Sequence, residues 1–286
     1  MINNFWFYLN YMTSNFVAFF RTILRIFDLV VLRNSHYNNL LLALQKSRDQ
    51  INNAANKSHD EKFYTTFVKY SEPIKALIPK SSSSELHQDL YVLSQLDFKE
   101  NGFFVEVGAA NGVDGSNTFM LEKQFSWSGI LVEPSKRYAG QILALRENSV
   151  LDQRVVWSSS EIRINFCEVL NAPTYSSVQL FINNDDHIGI RKNYKTKKIK
   201  TVSLNDLLDQ HKAPNLIDYL SIDIEGSEYE VLKKLDFSKY KFRIITCEHN
   251  YRIERELIHS LLTNNGYVRE FEELSKYDDW YRLVLG

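Results

Sequence analysis

Cysteine is almost missing from this chain of 286 residues: only Cys167 and Cys247 occur. Two thiols cannot build a disulfide scaffold, so the usage points to a reducing compartment. Five prolines and ten glycines are few for the length, which argues against low-complexity character and for regular structure with short turns. Net charge is close to absent as well, at −1. Without an excess of lysine and arginine the chain lacks the electrostatic footprint of a nucleic-acid binder. The remainder is ordinary for a globular protein, with 44% apolar and 24% charged residues. The length suits one large domain, or one domain with an extension.

The first 33 residues stand apart. Met1 to Phe20 carries no charged side chain and holds Phe5, Trp6, Phe7, Tyr8, Tyr11, Phe16, Phe19 and Phe20. No basic stretch precedes the apolar run and no small-residue cleavage site follows, so it reads poorly as a signal peptide. Asn3, Asn4, Asn10, Thr13, Ser14 and Asn15 spoil a membrane-spanning twenty-mer. Arg21, Arg25, Asp28 and Leu32 fall at helical spacing. Three readings stay open: helices packing on the main domain or a partner, attachment to a membrane surface, or a true span. Pro73, Pro79 and Ser81 to Ser84 mark a linker, with Ser84 as N-cap of a helix Glu85 to Leu96. The boundary is placed near residue 80, giving a helical, aromatic-rich extension over 1–80 and a main domain over 81–286.

From Phe103 onward strands and helices alternate. Short apolar runs at 103–107, 129–132, 154–157, 162–166, 217–223, 242–247, 267–271 and 281–285 are separated by helical segments. That rhythm implies βαβ units and a mostly parallel sheet. Ligands bind outside the C-terminal strand ends of such sheets, and the acids gather there. The run Asp218 to Glu230 carries Asp223 and Glu225 where an apolar strand stops at Gly226. An unpaired charge is costly to bury in a strand, so these acids mark a site.

Glu106-Val-Gly108-Ala109-Ala110-Asn-Gly112 follows the first strand. Small residues there let the chain turn sharply and bring backbone N–H groups near a ligand. The spacing departs from the dinucleotide pattern G-x-G-x-x-G. A carboxylate at Glu106 repels a pyrophosphate but suits a cationic sulfonium nucleoside bearing an ammonium group, which favours S-adenosylmethionine over NAD; a plain glycine turn is the alternative. Glu133, before Pro134 at the end of the second strand, is placed to accept both ribose hydroxyls of either nucleoside.

Taken together these segments resemble the FkbM-type family of S-adenosylmethionine-dependent methyltransferases. The pieces are Gln88-Asp89-Leu90-Tyr-Val-Leu93, Gly102-Phe-Phe-Val-Glu-Val-Gly108-Ala, Ser116-Asn-Thr-Phe-Met-Leu-Glu122-Lys, Trp127-Ser-Gly-Ile-Leu-Val-Glu133-Pro and Asp218-Tyr-Leu-Ser-Ile-Asp-Ile-Glu-Gly-Ser-Glu228. They come in the family's order across residues 85 to 250. The resemblance implies an α/β, Rossmann-like class I methyltransferase fold, with a seven-stranded mostly parallel sheet flanked by helices and an N-terminal helical extension. It implies methyl transfer to a hydroxyl of a glycan or small hydroxylated metabolite. It further implies that Gln88, Asp89, Glu106, Gly108, Ala109, Ala110, Gly112, Asn117, Glu133, Pro134 and Asp223 surround the cofactor. His87 stands where a glycine is usual before Gln-Asp, and Ala110 replaces another.

A hydroxyl nucleophile benefits from a general base. Asp223 is the first candidate, with Glu225, Glu248 and His249 as the others. His249 has the right ordinary titration range, although a lone histidine is more often structural. Asp223 and Glu225 also form an oxygen pair of the kind that holds magnesium or calcium; without a third placed ligand no metal is favoured. Glu228 and Glu230 read as solvated first-turn charges. Arg191 to Lys200 holds six basic residues, read either as a solvated strand edge or as a patch steering an anionic substrate. The long segment Thr174 to Asp186 is expected to form an acceptor lid. The expected partner is a sugar or small-molecule hydroxyl acceptor, with no nucleic acid, and membrane-surface contact only through the extension. The expected location is cytoplasmic, or peripheral at the inner face of a membrane. Two other functions stay open: a non-catalytic, membrane-associated interaction protein keeping the fold, and an NAD-dependent oxidoreductase.

Overall fold

The computed structural model describes residues 46, 57–67, 71–77, 82–183 and 186–284; the aromatic run at 1–20 lies outside these. The chain divides into two compact units, Met1–Glu61 and Lys62–Gly286. This division falls ahead of the boundary expected near residue 80. Phe63, Phe67 and Ile74 are the reason: all three are buried in the core of the second unit, beside Tyr91 and Trp280. Among the described residues, no helix is long and apolar enough to cross a membrane.

The second unit is built on a seven-stranded sheet. Its strands are β1 (Phe103–Val107), β2 (Ser128–Val132), β3 (Ser149–Asp152), β8 (Leu216–Ile222), β9 (Lys241–Glu248), β10 (Tyr267–Glu270) and β11 (Asp278–Leu283). The spatial order is β10-β11-β9-β8-β1-β2-β3. Strands β3, β2, β1, β8 and β9 pair in parallel, whereas β11 runs antiparallel to both β9 and β10. This is the α/β architecture on a mostly parallel seven-stranded sheet that the sequence predicts. A smaller sheet, in the order β4-β7-β5-β6, joins β4 (Val155–Trp157), β7 (Tyr194–Ser203), β5 (Arg163–Val169) and β6 (Ser177–Val178). The run at 154–157 therefore leaves the main sheet, and Ser149–Asp152 takes the edge beside β2 instead.

Both faces of the large sheet are covered, so its central strands are apolar almost throughout. One face packs Val105, Ile130, Leu220 and Ile245 against Leu207, Val231 and Leu262. The other packs Phe104, Leu131, Tyr219 and Ile244 against Leu90, Leu121 and Trp127. Trp127 is fully enclosed and donates from Nε1 to the Lys99 carbonyl at 2.8 Å.

One helix start differs from its expected cap. The helix expected from Glu85 starts at Gln88, with His87 at φ 63° as its N-cap. Ser84 instead donates to Asp89 Oδ1 at 2.6 Å. A helix spans Ala139–Leu145, and Ser135 ahead of it donates to Glu168 Oε1. The helix Glu254–Asn264 ends at Asn265, followed by Gly266 at φ 87°, a glycine stop of the usual kind.

Candidate active site

Between β1 and β8 the chain order reverses: β1 connects to β2 on one side and meets β8 on the other. The C-terminal ends of these strands diverge into a crevice, the usual ligand position in such a sheet. A cavity of about 260 Å³ opens there. Gly108 to Ala110 and Glu133-Pro134 line one part, and Asp223 to Glu225 with Glu248 another; Gln88, Asn117, Tyr175 and Tyr277 also face it.

The loop after β1 is held by strand-end hydrogen bonds. Gly108 N and Ala109 N both donate to the Val132 carbonyl at 3.0 Å, and Asp223 N donates to the Val107 carbonyl at 3.0 Å. Gly108 sits at φ 94°, and a Cβ on it would lie 1.8 Å from the Asp223 carbonyl oxygen. Only glycine lets the two strand tips approach so closely. Gly112 does not line the cavity; its carbonyl accepts from Arg146 Nη1 at 2.8 Å.

Glu133, expected among the cofactor residues, lines the cavity. Its Oε2 accepts from Ala110 N at 2.9 Å and its Oε1 from Ser135 N at 2.7 Å. Each oxygen thus receives one backbone donor and keeps lone-pair capacity for a ligand. Burial raises this carboxyl to about 7, offset in part by those two donors. Asn117 lines the cavity too: its Nδ2 donates to Ser221 Oγ at 3.0 Å, while its buried Oδ1 has no partner. Gln88 donates through Nε2 to Asp278 Oδ2 at 2.8 Å.

Besides Gly112, two more expected cofactor residues stand elsewhere. Glu106 is buried behind the cavity wall and does not line it. Its carboxylate accepts from Ser116 Oγ, Asn117 N and Thr118 Oγ1 at 2.8–3.0 Å, with Arg146 Nη1 3.7 Å away. The expectation that it meets a sulfonium directly is corrected: its lone pairs hold the 116–118 segment that carries Asn117. Asp89 is likewise enclosed and outside the cavity lining; its Oδ1 accepts from Ser82 Oγ, Ser84 Oγ and Leu90 N. It ties the entry of the Gln88 helix rather than a ligand.

The acids at the tips of β8 and β9 form one group. Asp223, Glu225 and Glu248 bring carboxylate oxygens within 4.8 Å of one another. Asp223 keeps exposed surface at the cavity mouth, yet protein crowds its carboxyl closely enough for desolvation to raise it to about 7. Glu248 is more enclosed and pushed well above the carboxylate range by burial, then by Asp223 and Glu225. Burial favours the protonated form of Glu248 more strongly than that of Asp223, and Glu248 in turn lowers Asp223. Glu225, at φ 59°, pairs with the buried guanidinium of Arg191. Glu248 thus supplies the third acid that the sequence left unplaced beside Asp223 and Glu225, and the three could hold a divalent cation.

His249 does not join them. It lies outside the cavity lining, with Nδ1 accepting from Tyr251 N at 2.9 Å and Nε2 facing the Asp278 carbonyl at 3.1 Å. Burial lowers its pKa to about 4, against the pull of Asp279. Both ring nitrogens are engaged in shaping the turn after β9, so its candidacy as the base is withdrawn. Glu228 is not a solvated charge either: it is buried, and its Oε1 accepts from Ile224 N and Gly226 N at 2.9 and 3.0 Å, closing the loop that presents Glu225.

With this geometry in view, the profile of the Methyltransferase FkbM domain matches residues 106–277. The chain belongs to the FkbM methyltransferase family. No curated protein matches it at a significant level. Among solved structures, it is similar to the methyltransferase FkbM from Methylobacillus flagellatus KT, with 12% identity and a TM-score of 0.40. That likeness covers 76% of this chain and 60% of the other. A second is precorrin-6y C5,15-methyltransferase from Geobacter metallireducens GS-15, with 12% identity and a TM-score of 0.37, covering 64% and 72%. A third is the 1,6-didemethyltoxoflavin-N1-methyltransferase of Burkholderia thailandensis, with 9% identity and a TM-score of 0.36, covering 78% and 88%.

Sequence reading missed several residues that this family member uses to build its site. Arg146 and Arg191 are among the largest fully buried side chains, although each sits in a polar stretch that reads as surface. Tyr175 and Tyr277 reach the cavity from distant segments, and no local motif surrounds either.

Proposed function

We propose that the protein is an S-adenosylmethionine-dependent O-methyltransferase acting on a hydroxyl of a sugar or small hydroxylated metabolite. The observation that carries this reading is one cavity at the switch point of the sheet, with Glu133 in one part and the Asp223–Glu248 pair in another. The residues fit the cofactor. Glu133 can accept the ribose hydroxyls on its remaining lone pairs. Asn117 Oδ1, buried without a partner, is an acceptor for the ammonium group, and the second amide hydrogen of Gln88 is a donor for the carboxylate. When bound, the cofactor supplies an electrophilic methyl group on a positively charged sulfur.

Asp223 does the proton work. Its carboxylate oxygen is the group that would accept the proton of the acceptor hydroxyl. A raised pKa brings it near neutrality, where a base is most effective. Glu248 beside it, held protonated by burial, leaves one negative charge on the pair. The Gly108 turn holds the Asp223 backbone against the cofactor loop, so base and cofactor share one frame.

Titration calorimetry with S-adenosylmethionine and S-adenosylhomocysteine tests the first half of the proposal. Micromolar binding is expected, and its absence from folded protein sinks the reading. Incubation of labelled donor with candidate sugars, read by the mass gain of one methyl in place of hydrogen, tests the second.

A further inference from the structure

This inference rests on the methyl-transfer reading and narrows its acceptor. The cavity wall carries the carboxylates Glu85, Asp114, Glu133, Asp223, Glu225 and Glu248, and among the described residues that line it there is no lysine or arginine. Three guanidiniums stand behind the wall: Arg252 lies against Gly226 beside Glu228, and Arg191 and Arg146 are already hydrogen-bonded. Arg191 donates to Glu225 and to the carbonyls of Tyr175 and Ile182. Arg146 lies behind the wall, among Glu122, Gly112 and Thr118.

The basic run that could have steered an anion does not reach the cavity. Apart from Arg191 it lies on or beside β7 in the smaller sheet, where Lys197 pairs with Glu168 and Lys200 with Glu161. An anion entering the cavity would be desolvated beside the ionised members of this acidic set, with no lysine or arginine on the described wall to meet it, and like-charge juxtaposition costs several kcal/mol.

Other parts of the wall suit a different ligand. Tyr175 and His187 pack ring against ring at 4.8 Å, and both face the cavity. Tyr277 stands nearby with its hydroxyl donating to Glu85 Oε2 at 2.5 Å. Flat rings beside several acceptor oxygens match a molecule with C–H faces and many hydroxyl or amino donors.

We infer that the acceptor carries no phosphate, sulfate or carboxylate: the cavity takes a neutral or amino-bearing polyol, not a nucleotide-linked or acidic sugar. Thus Asp223 meets a hydroxyl donor that brings no second negative charge.

The test uses the full chain and methyl-labelled S-adenosylmethionine. A mixture of polar metabolites and oligosaccharides is split on an anion-exchange resin, and each fraction is incubated with enzyme. Label is expected in the unretained fraction at least tenfold above the retained one. Label in the retained fraction at an equal or higher level overturns the inference. Thr174 lines the cavity at an exposed position. Thr174→Lys, which puts a cation on the wall, should move labelling toward the retained fraction; an unchanged distribution also counts against the inference. Calorimetry with S-adenosylhomocysteine on the same preparation separates the two levels. Loss of that binding condemns the methyl-transfer reading, whereas retained-fraction label from cofactor-binding enzyme condemns only the charge rule.

Discussion

Asp223 and Glu248, at the adjacent tips of β8 and β9, bring carboxylate oxygens within 4.8 Å of each other, and burial raises the pKa of both. The pair titrates as a unit. The folded-state pKa of Asp223, about 7, lies above its ordinary 3.8. The folded protein therefore binds the proton more tightly than the unfolded chain. That contribution to stability is complete below about pH 4 and is lost as pH rises through about 7. Asp223→Asn removes it, so the stability of this variant relative to wild type should climb between pH 4 and 8, as denaturant titrations at several pH values would show. Methyl transfer should run the other way, rising with pH to a midpoint near 7.

The same substitution separates chemistry from binding. Asp223→Asn should leave the S-adenosylhomocysteine affinity within a few-fold while lowering turnover by about 10² or more. Glu133→Ala should do the reverse in emphasis, weakening cofactor binding first. Normal turnover by Asp223→Asn would remove it from the base role.

His249→Gln probes the withdrawn candidate. Its ring is neutral near pH 7 and committed to the Tyr251 amide and the Asp278 carbonyl. The variant should lose about 1–2 kcal/mol of stability, as expected for a severed buried hydrogen bond. The pH midpoint of turnover should not move. A shifted midpoint would return His249 to the proton path.

Gly108→Ala tests the shared frame. The added Cβ meets the Asp223 carbonyl at 1.8 Å, and the position has φ 94°. Strain of this type costs about 1–3 kcal/mol, and the clash adds to it. A lowered melting temperature and at least tenfold weaker cofactor binding are expected together, because relief requires the two strand tips to separate.

Arg146 is the buried cation beneath the loop, bonded to Glu122 at 2.7 Å and to Thr118 Oγ1 at 2.7 Å, with Glu106 3.7 Å away. Arg146→Met leaves two buried carboxylates without their counter-ion, a loss of about 3–5 kcal/mol. Thermal unfolding should show that fall, and Glu122→Gln in the same chain should restore part of it.

The local alphabet of the fold was legible. Alternating apolar runs and turn residues announced a mostly parallel sheet. Acids at the ends of β1, β2 and β8 announced an acidic sheet edge, because a carboxylate at a strand tip is costly to desolvate unless a donor or a cation meets it. Glu133 and Asp223, singled out in this way, both line the cavity. Glu106, Asp89 and His249 mark where such reading fails: each has the right residue type at a fitting place in the chain, but their lone pairs are used by Thr118, Ser84 and Tyr251. A side chain's choice of hydrogen-bond partner leaves no periodic trace in the sequence.

By itself, then, the order of residues determined the layering, the strand sequence through the first loops, and the acidic character of one sheet edge, since these follow from short-range periodicity and turn chemistry. Tertiary structure alone decided which carboxylates face open space and which serve as internal ties. It also decided that Glu248 would stand beside Asp223, and that Arg191 would be buried rather than solvated. The physical reason is that protonation and pairing depend on distances between segments far apart along the chain, which only the packed sheet brings within reach.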